Sequence, residues 1–161
     1  LAERGLHPGD ALERELLWSA CVLHDIGMAV DYDDHHKHSR YLILQSGLPG
    51  FSQREVALIA QMARYHRKGT PTLGSFAPLA RSGDDQKLKR CSLFLRLAEG
   101  LERSRDQAVP AIKVKETGSG VIKVKLKNSD DPSALAVARW AASREAPLFE
   151  QVFARELRIV D

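Results

Sequence analysis

A chain of 161 residues, 43% hydrophobic and 28% charged, amounts to about one domain with or without a small appendage, and can bury a core. That composition excludes a disordered chain, and no apolar run approaches the roughly 20 residues that cross a bilayer. The formal charge of +3 and the pI near 9.0 suit anionic partners. The start, L-A-E-R-G-L-H-P-G-D, lacks the basic-then-apolar order of a secretory signal. Cys21 and Cys91 stand in apolar helical contexts without metal spacing, so free thiols in the reducing cytoplasm are expected. Position 1 is Leu rather than Met, and the expectation is a fragment of a longer protein.

Residues 10–30 carry helical periodicity in Leu12, Leu16, Leu17, Ala20, Leu23 and Ile26, with Asp10 as cap and Glu13 placed for a capping box. Tyr32-Asp33-Asp34 breaks the pattern. A second helix is predicted from about His35 to Ser46, stopped by G-L-P-G at 47–50. Ser52 and Glu55 open a third, which Val56, Ile59, Ala60 and Ala63 carry to about His66; Gly69, Pro71 and Gly74 then make a loop. A long fourth helix, about Asp84 to Asp106, presents Leu88, Cys91, Leu95, Ala98 and Leu101.

The period then falls to two. Ile112 to Lys115 and Val121 to Lys127 alternate apolar residues with lysine around T-G-S-G, a hairpin whose outer face holds Lys113, Lys115, Lys123, Lys125 and Lys127. After N-S-D-D-P-S come a helix from about Ser133 to Arg144, a short helix started by Pro147, and a closing strand at Leu157 to Val160. The fold class is therefore mainly α. A helical domain over residues 1–106 precedes a small α+β subdomain over 107–161.

His24-Asp25, H-H-K-H-S (His35 to Ser39) and R-Y-H-R-K (Arg64 to Lys68) fall on or beside three successive helices. Histidines at facing helix ends can converge on one pocket, as ligands do in helical bundles. The structural alternative for His24-Asp25 is a buried pair in which the carboxylate fixes the imidazole. For His35, His36 and His38, with His35 itself exposed, a solvated helix start competes with an anion at the positive helix end. The cations at 64–68 either complement a helix dipole or clamp phosphate, Arg by paired oxygens and Lys as a point charge. The lysine row reads first as a solvated face that keeps strand edges from pairing. Trp140 and Phe149 read as core, and with no aromatic stripe beside the lysines nucleic acid is an unlikely partner. Glu99 and Glu102 share a helical face, where Arg96, Arg103 and Arg105 favour ordinary ion pairs.

With these pieces in order, the chain resembles the HD superfamily of helical metal-dependent phosphohydrolases, named for its His-Asp pair. More closely, it resembles the C-terminal portion of the exopolyphosphatase / guanosine pentaphosphate phosphatase (Ppx/GppA) family. L-H-D-I-G, H-H-K-H-S-R-Y-L-I, S-G-L-P-G-F-S, R-Y-H-R-K and L-R-L-A-E-G-L-E-R-S carry the resemblance over residues 16–105, and the tail is similar only loosely. The resemblance implies an HD-like helical bundle lacking its first helix. It also implies that phosphoanhydride hydrolysis belongs to N-terminal actin-like domains with Mg²⁺, and that this segment binds the polyanion and supports a homodimer without catalytic residues of its own. The implied metal ligands are His24, Asp25, His36 and His66, for a transition metal, with Glu99 where the superfamily carries its last Asp. The histidine upstream of the pair, His7, lies in G-L-H-P-G, a loop sequence. Polyphosphate or a guanosine alarmone would be held by Lys37, His38, Arg64, His66, Arg67 and Lys68. Two rivals are a self-sufficient metal-dependent HD phosphohydrolase acting on nucleotides and a structural or regulatory module that binds no phosphate.

Overall fold

The computed structural model describes residues 7–118, 120–127 and 132–160. The first six residues, Ser119 of the T-G-S-G turn and the N-S-D-D connection at 128–131 lie outside them. Helices dominate, with a three-stranded sheet near the C-terminus: α1 (Ala11–Leu23), α2 (His35–Ser46), α3 (Gln53–Tyr65), α4 (Asp84–Leu101), β1 (Ile112–Glu116), β2 (Ile122–Leu126), α5 (Pro132–Ser143), α6 (Ala146–Phe153) and β3 (Leu157–Val160). Two 3₁₀ turns, Ile26–Ala29 and Gly74–Leu79, interrupt the helical part. No helix among the described residues is long and apolar enough to cross a membrane. The residues group into two compact units, Gly9–Leu95 and a second that takes the described residues from Arg96 onward with His7 and Pro8.

In the first unit α3 is the centre. Every residue from Val56 to Ala63 is buried, because α1 and α2 cover it from separate sides. Leu16, Ala20, Ile43, Ile59, Met62, Leu88 and Leu95 close the core, each worth roughly 1.5–3 kcal/mol for the large aliphatics. Ser52 caps α3 in a full capping box: its hydroxyl accepts from Glu55 N–H, and the Glu55 carboxylate accepts from Ser52 N–H at 2.8 Å. Asp10 caps α1 through Leu12 N–H at 2.9 Å. Glu13 departs from its predicted place in a capping box on this helix. It is fully buried, and both its oxygens accept from Arg90, at 2.6 and 2.7 Å.

Three further expectations change. The helix predicted over 10–30 ends at Leu23, because the chain must turn there to bring Gly27 onto α2. The fourth helix ends at Leu101, short of the predicted Asp106, and beyond it Arg105 and Gln107 take left-handed backbone angles of φ 55° and 57°; its Ala98 is exposed. Trp140, expected in the core, is 60% exposed with the Arg144 guanidinium 5.3 Å from its ring centre, whereas Phe149 is buried as expected.

In the second unit β2 is the middle strand. β1 pairs with it antiparallel, Lys113 opposite Lys125 and Lys115 opposite Lys123. β3 pairs along its other edge in parallel, Lys123 beside Arg158. The strand period puts Ile122, Val124, Leu126, Leu157 and Ile159 on one face, all buried, and the lysines on the other. The end of α4 passes α5 closely at Gly100, where a Cβ would lie 2.8 Å from Ala142 N.

Candidate functional site

The His-Asp segment is not on a helix. His24 follows the last residue of α1, and the 3₁₀ turn after Asp25 lays Gly27 against the first turns of α2. A Cβ on Gly27 would stand 2.1 Å from His35 O and 2.4 Å from Ser39 N, so only glycine permits this approach. Ser39 then ties the two segments. Its hydroxyl donates to His24 O at 2.5 Å and accepts from Gly27 N–H at 2.9 Å, wholly or largely out of solvent. The quoted pieces H-D-I-G and H-H-K-H-S are thus two halves of one docked contact.

Three imidazoles are aimed by the same device. His24 Nδ1 meets Cys21 O at 2.7 Å, His35 Nδ1 meets Tyr32 O at 2.6 Å, and His66 Nδ1 meets Ala63 O at 2.7 Å. A ring whose Nδ1–H donates to a carbonyl keeps its lone pair on Nε2. All three Nε2 atoms point to Asp25: His35 at 3.3 Å and His66 at 3.5 Å from Oδ1, His24 at 3.6 Å from Oδ2. The Nε2 atoms of His35 and His66 stand 3.0 Å apart. Two facing lone pairs at that distance repel unless a proton or a cation lies between them. Burial, the largest cause, holds His66 below its ordinary 6.5, which favours the neutral form that a metal ligand takes.

Donor atoms of His24, Asp25 and His66 all lie within 4.8 Å of one another, as a metal site requires, and His35 adds a nitrogen 3.0 Å from His66 and 3.3 Å from Asp25. Donors about 2.0–2.1 Å from one ion stand roughly 3.0–3.4 Å apart, depending on coordination number. Ligand histidines also carry a partner on the far nitrogen, which fixes tautomer and ring orientation, and here all three do. Three imidazoles with one carboxylate suit a borderline transition ion better than Mg²⁺.

His35, not His36, is the α2 histidine whose ring faces the Asp25 carboxylate. Adjacent helical residues point about 100° apart, so only one can face the carboxylate. His35, expected to be exposed, is 6% exposed. His36 is fully buried with neither ring nitrogen hydrogen-bonded, its ring centre 5.8 Å from that of His35 and 6.4 Å from that of His66. Burial, helped by the Arg64 and Lys68 charges, pushes it down to about 4. Glu99 falls in the second compact unit.

The cations proposed for phosphate are placed unevenly. Arg67 crosses to the segment before α2, donating to Asp33 O at 2.9 Å with its guanidinium 5.8 Å from the Tyr32 ring centre. Lys37 donates to Asp34 at 2.7 Å on the surface. His66 belongs to the cluster, and His38 is half-buried, its Cβ beside Gly27. Arg64 and Lys68 make no ion pair among the described residues, and both act electrostatically on His36. Sequence reasoning missed the roles of His35, Ser39 and Gly27. The available signal was spacing, since residues 35, 39 and 43 recur four apart and Ile43 is core.

A helical unit whose loop and helix ends gather three histidines and an aspartate, rimmed by arginine and lysine, defines a helical domain with a His–Asp cluster. The family model described as Ppx/GppA phosphatase, domain III, matches residues 3–138, and the chain belongs to that family. Among its relatives, a guanosine-5'-triphosphate,3'-diphosphate pyrophosphatase of Aliivibrio fischeri (strain MJ11) is 35% identical over 102 residues, 63% of this chain and 20% of that protein. A protein of the same name from Pseudoalteromonas translucida (strain TAC 125) is 42% identical over 52 residues, 32% of this chain and 10% of that protein. The chain therefore matches a fifth or less of the length of each of these two relatives.

Proposed function

We propose that this chain is the phosphate-chain-binding portion of a larger Ppx/GppA phosphatase. In this reading His24, Asp25, His35 and His66 hold a divalent transition metal, and Arg64, Lys68, Arg67, Lys37 and His38 gather phosphates of polyphosphate or a guanosine alarmone around it. Hydrolysis is assigned to Mg²⁺-dependent actin-like domains elsewhere in the full protein, and the segment supports a homodimer. The observation that carries the reading is the 3.0 Å approach of two backbone-oriented Nε2 atoms beside the Asp25 carboxylate. A bound ion supplies a Lewis-acid contact for a phosphate oxygen. The chain's own residues orient and desolvate that contact: Ser39 and Gly27 fix the loop, the three carbonyls fix the rings, and the cations neutralise the phosphate.

Metal analysis of the purified chain and isothermal titration with polyphosphate test it. About one transition ion per chain is expected, lost in His35→Ala and kept in His36→Gln, with phosphate affinity reduced in Arg64→Ala plus Lys68→Ala. Retention of metal by His35→Ala refutes the ligand set.

A second reading is favoured by the same four donors: catalysis by this segment as a self-sufficient phosphohydrolase. Metal-dependent phosphate release from nucleotides by the 161-residue chain alone supports it, and its absence with metal bound removes it.

A further inference from the structure

The sheet carries a cationic face that edge protection does not explain. Lysines on a strand edge keep other chains from pairing there. Yet Lys123 and Lys125 lie on β2, the middle strand, whose edges are both paired, and Lys127 directly follows it. Lys113 sits opposite Lys125, and Lys115 opposite Lys123, and like charges directly opposed across an antiparallel pair destabilise it. Arg158 extends the row beside Lys123, but Glu156 neutralises it at 2.5 and 3.1 Å. The side chains of the five lysines make no ion pair or hydrogen bond among the described residues. Glu116, the carboxylate of β1, is on the opposite face and bonds Arg155 at 3.1 Å.

From this juxtaposition we infer that the face formed by Lys113, Lys115, Lys123, Lys125 and Lys127 docks linear inorganic polyphosphate. The inference rests on the proposed phosphate-chain function and adds a second contact surface to it. The lysines form a two-column grid with a spacing of about 4.8 Å across the strands and about 6.6 Å along them, covering roughly 5 by 13 Å. A flexible, densely charged polymer can neutralise every point of such a grid. A single nucleic-acid strand would need aromatic platforms for its bases, and no side chain on this face is aromatic. Lysine suits the task, because its point charge makes no demand on the geometry of the phosphate it meets.

The test uses the full 161-residue chain and titrates long-chain polyphosphate across about 0.05 to 0.2 M salt. Lys113→Thr, Lys115→Thr and Lys125→Thr together remove exposed, mutually repelling charges, so folding is retained or improved, as circular dichroism would show. The triple variant should bind at least about tenfold more weakly, with a log–log salt slope smaller by about two to three. Tripolyphosphate binding should be unchanged. Unchanged long-chain affinity in the triple variant overturns the inference. So does equal competition by random duplex DNA at matched charge. The Arg64→Ala plus Lys68→Ala variant separates the two claims: loss there alone leaves the cluster reading standing and overturns the sheet, whereas loss in the lysine variant alone does the reverse. A wild-type chain that ignores polyphosphate overturns both.

Discussion

Replacing Gly27 by alanine adds one methyl group where the backbone leaves no room. Its Cβ would stand 2.1 Å from His35 O, 2.4 Å from Ser39 N and 2.8 Å from His38 Cβ. Two of these neighbours are backbone, and carbon–oxygen contact normally needs more than 3 Å, so the segment must retreat from α2 by about 1 Å. Overpacking typically costs about 1–3 kcal/mol. Here the retreat also strains the two hydrogen bonds of Ser39, so about 3 kcal/mol or more is expected for Gly27→Ala. Because that movement carries His24 and Asp25 away from His35, metal affinity should fall about 10- to 100-fold, as for loss of an outer-shell partner. Urea denaturation reads the first number and Co²⁺ titration by visible absorbance the second. Gly118→Ala is the control, since nothing lies within 4 Å of its Cβ. A Gly27→Ala protein with an unchanged urea midpoint would refute the close-approach argument, whatever its metal content.

Three other outcomes follow from the same contacts. Ser39→Ala leaves the buried Gly27 N–H and the His24 carbonyl without their partner and should cost about 2 kcal/mol by urea denaturation, with metal affinity reduced while Ser39→Thr restores part of it. Glu13→Gln leaves the Arg90 charge largely buried without its carboxylate and should cost about 3 kcal/mol; replacing both residues by Leu and Met should recover most of that loss, and failure to recover would mean the pair does more than balance charge. Hydrogen bonds from the Ser52 N–H and hydroxyl hold the Glu55 carboxyl below its ordinary 4.5. Its contribution is therefore complete above that value and lost as pH falls through the lowered one, so the roughly 1 kcal/mol cost of Ser52→Ala at neutral pH should shrink as the pH falls below 4.5 in matched denaturation curves. A gap that stays constant with pH would exclude the carboxylate as the partner.

Much of this molecule is legible in short-range pattern. Ser52 and Glu55 announce the start of α3 because a capping box is satisfied within four residues. His35 to Ser46 is bounded by Asp34 and Gly47, and the Lys/apolar alternation of β1 and β2 encodes both strands and the face each side chain takes. The motifs H-D-I-G, H-H-K-H-S and R-Y-H-R-K likewise announce that one chemistry is shared by three segments, because ionisable side chains beside apolar helical runs are costly unless they meet something.

What those patterns leave open is long-range. Whether His35 or His36 faces the carboxylate depends on the rotation of α2, which Ser39 and Ile43 set by packing against other segments. Glu13 could close a local capping box, but Arg90, 77 residues away, takes both its oxygens. The lysine row looks like the guard of an exposed hairpin until β3 pairs along β2 and turns that strand into the middle of a sheet. Local pattern determines what a segment can become, because caps, turns and periodicity are satisfied within a few residues. Which nitrogen meets which oxygen is decided only when distant segments compete for the same buried space.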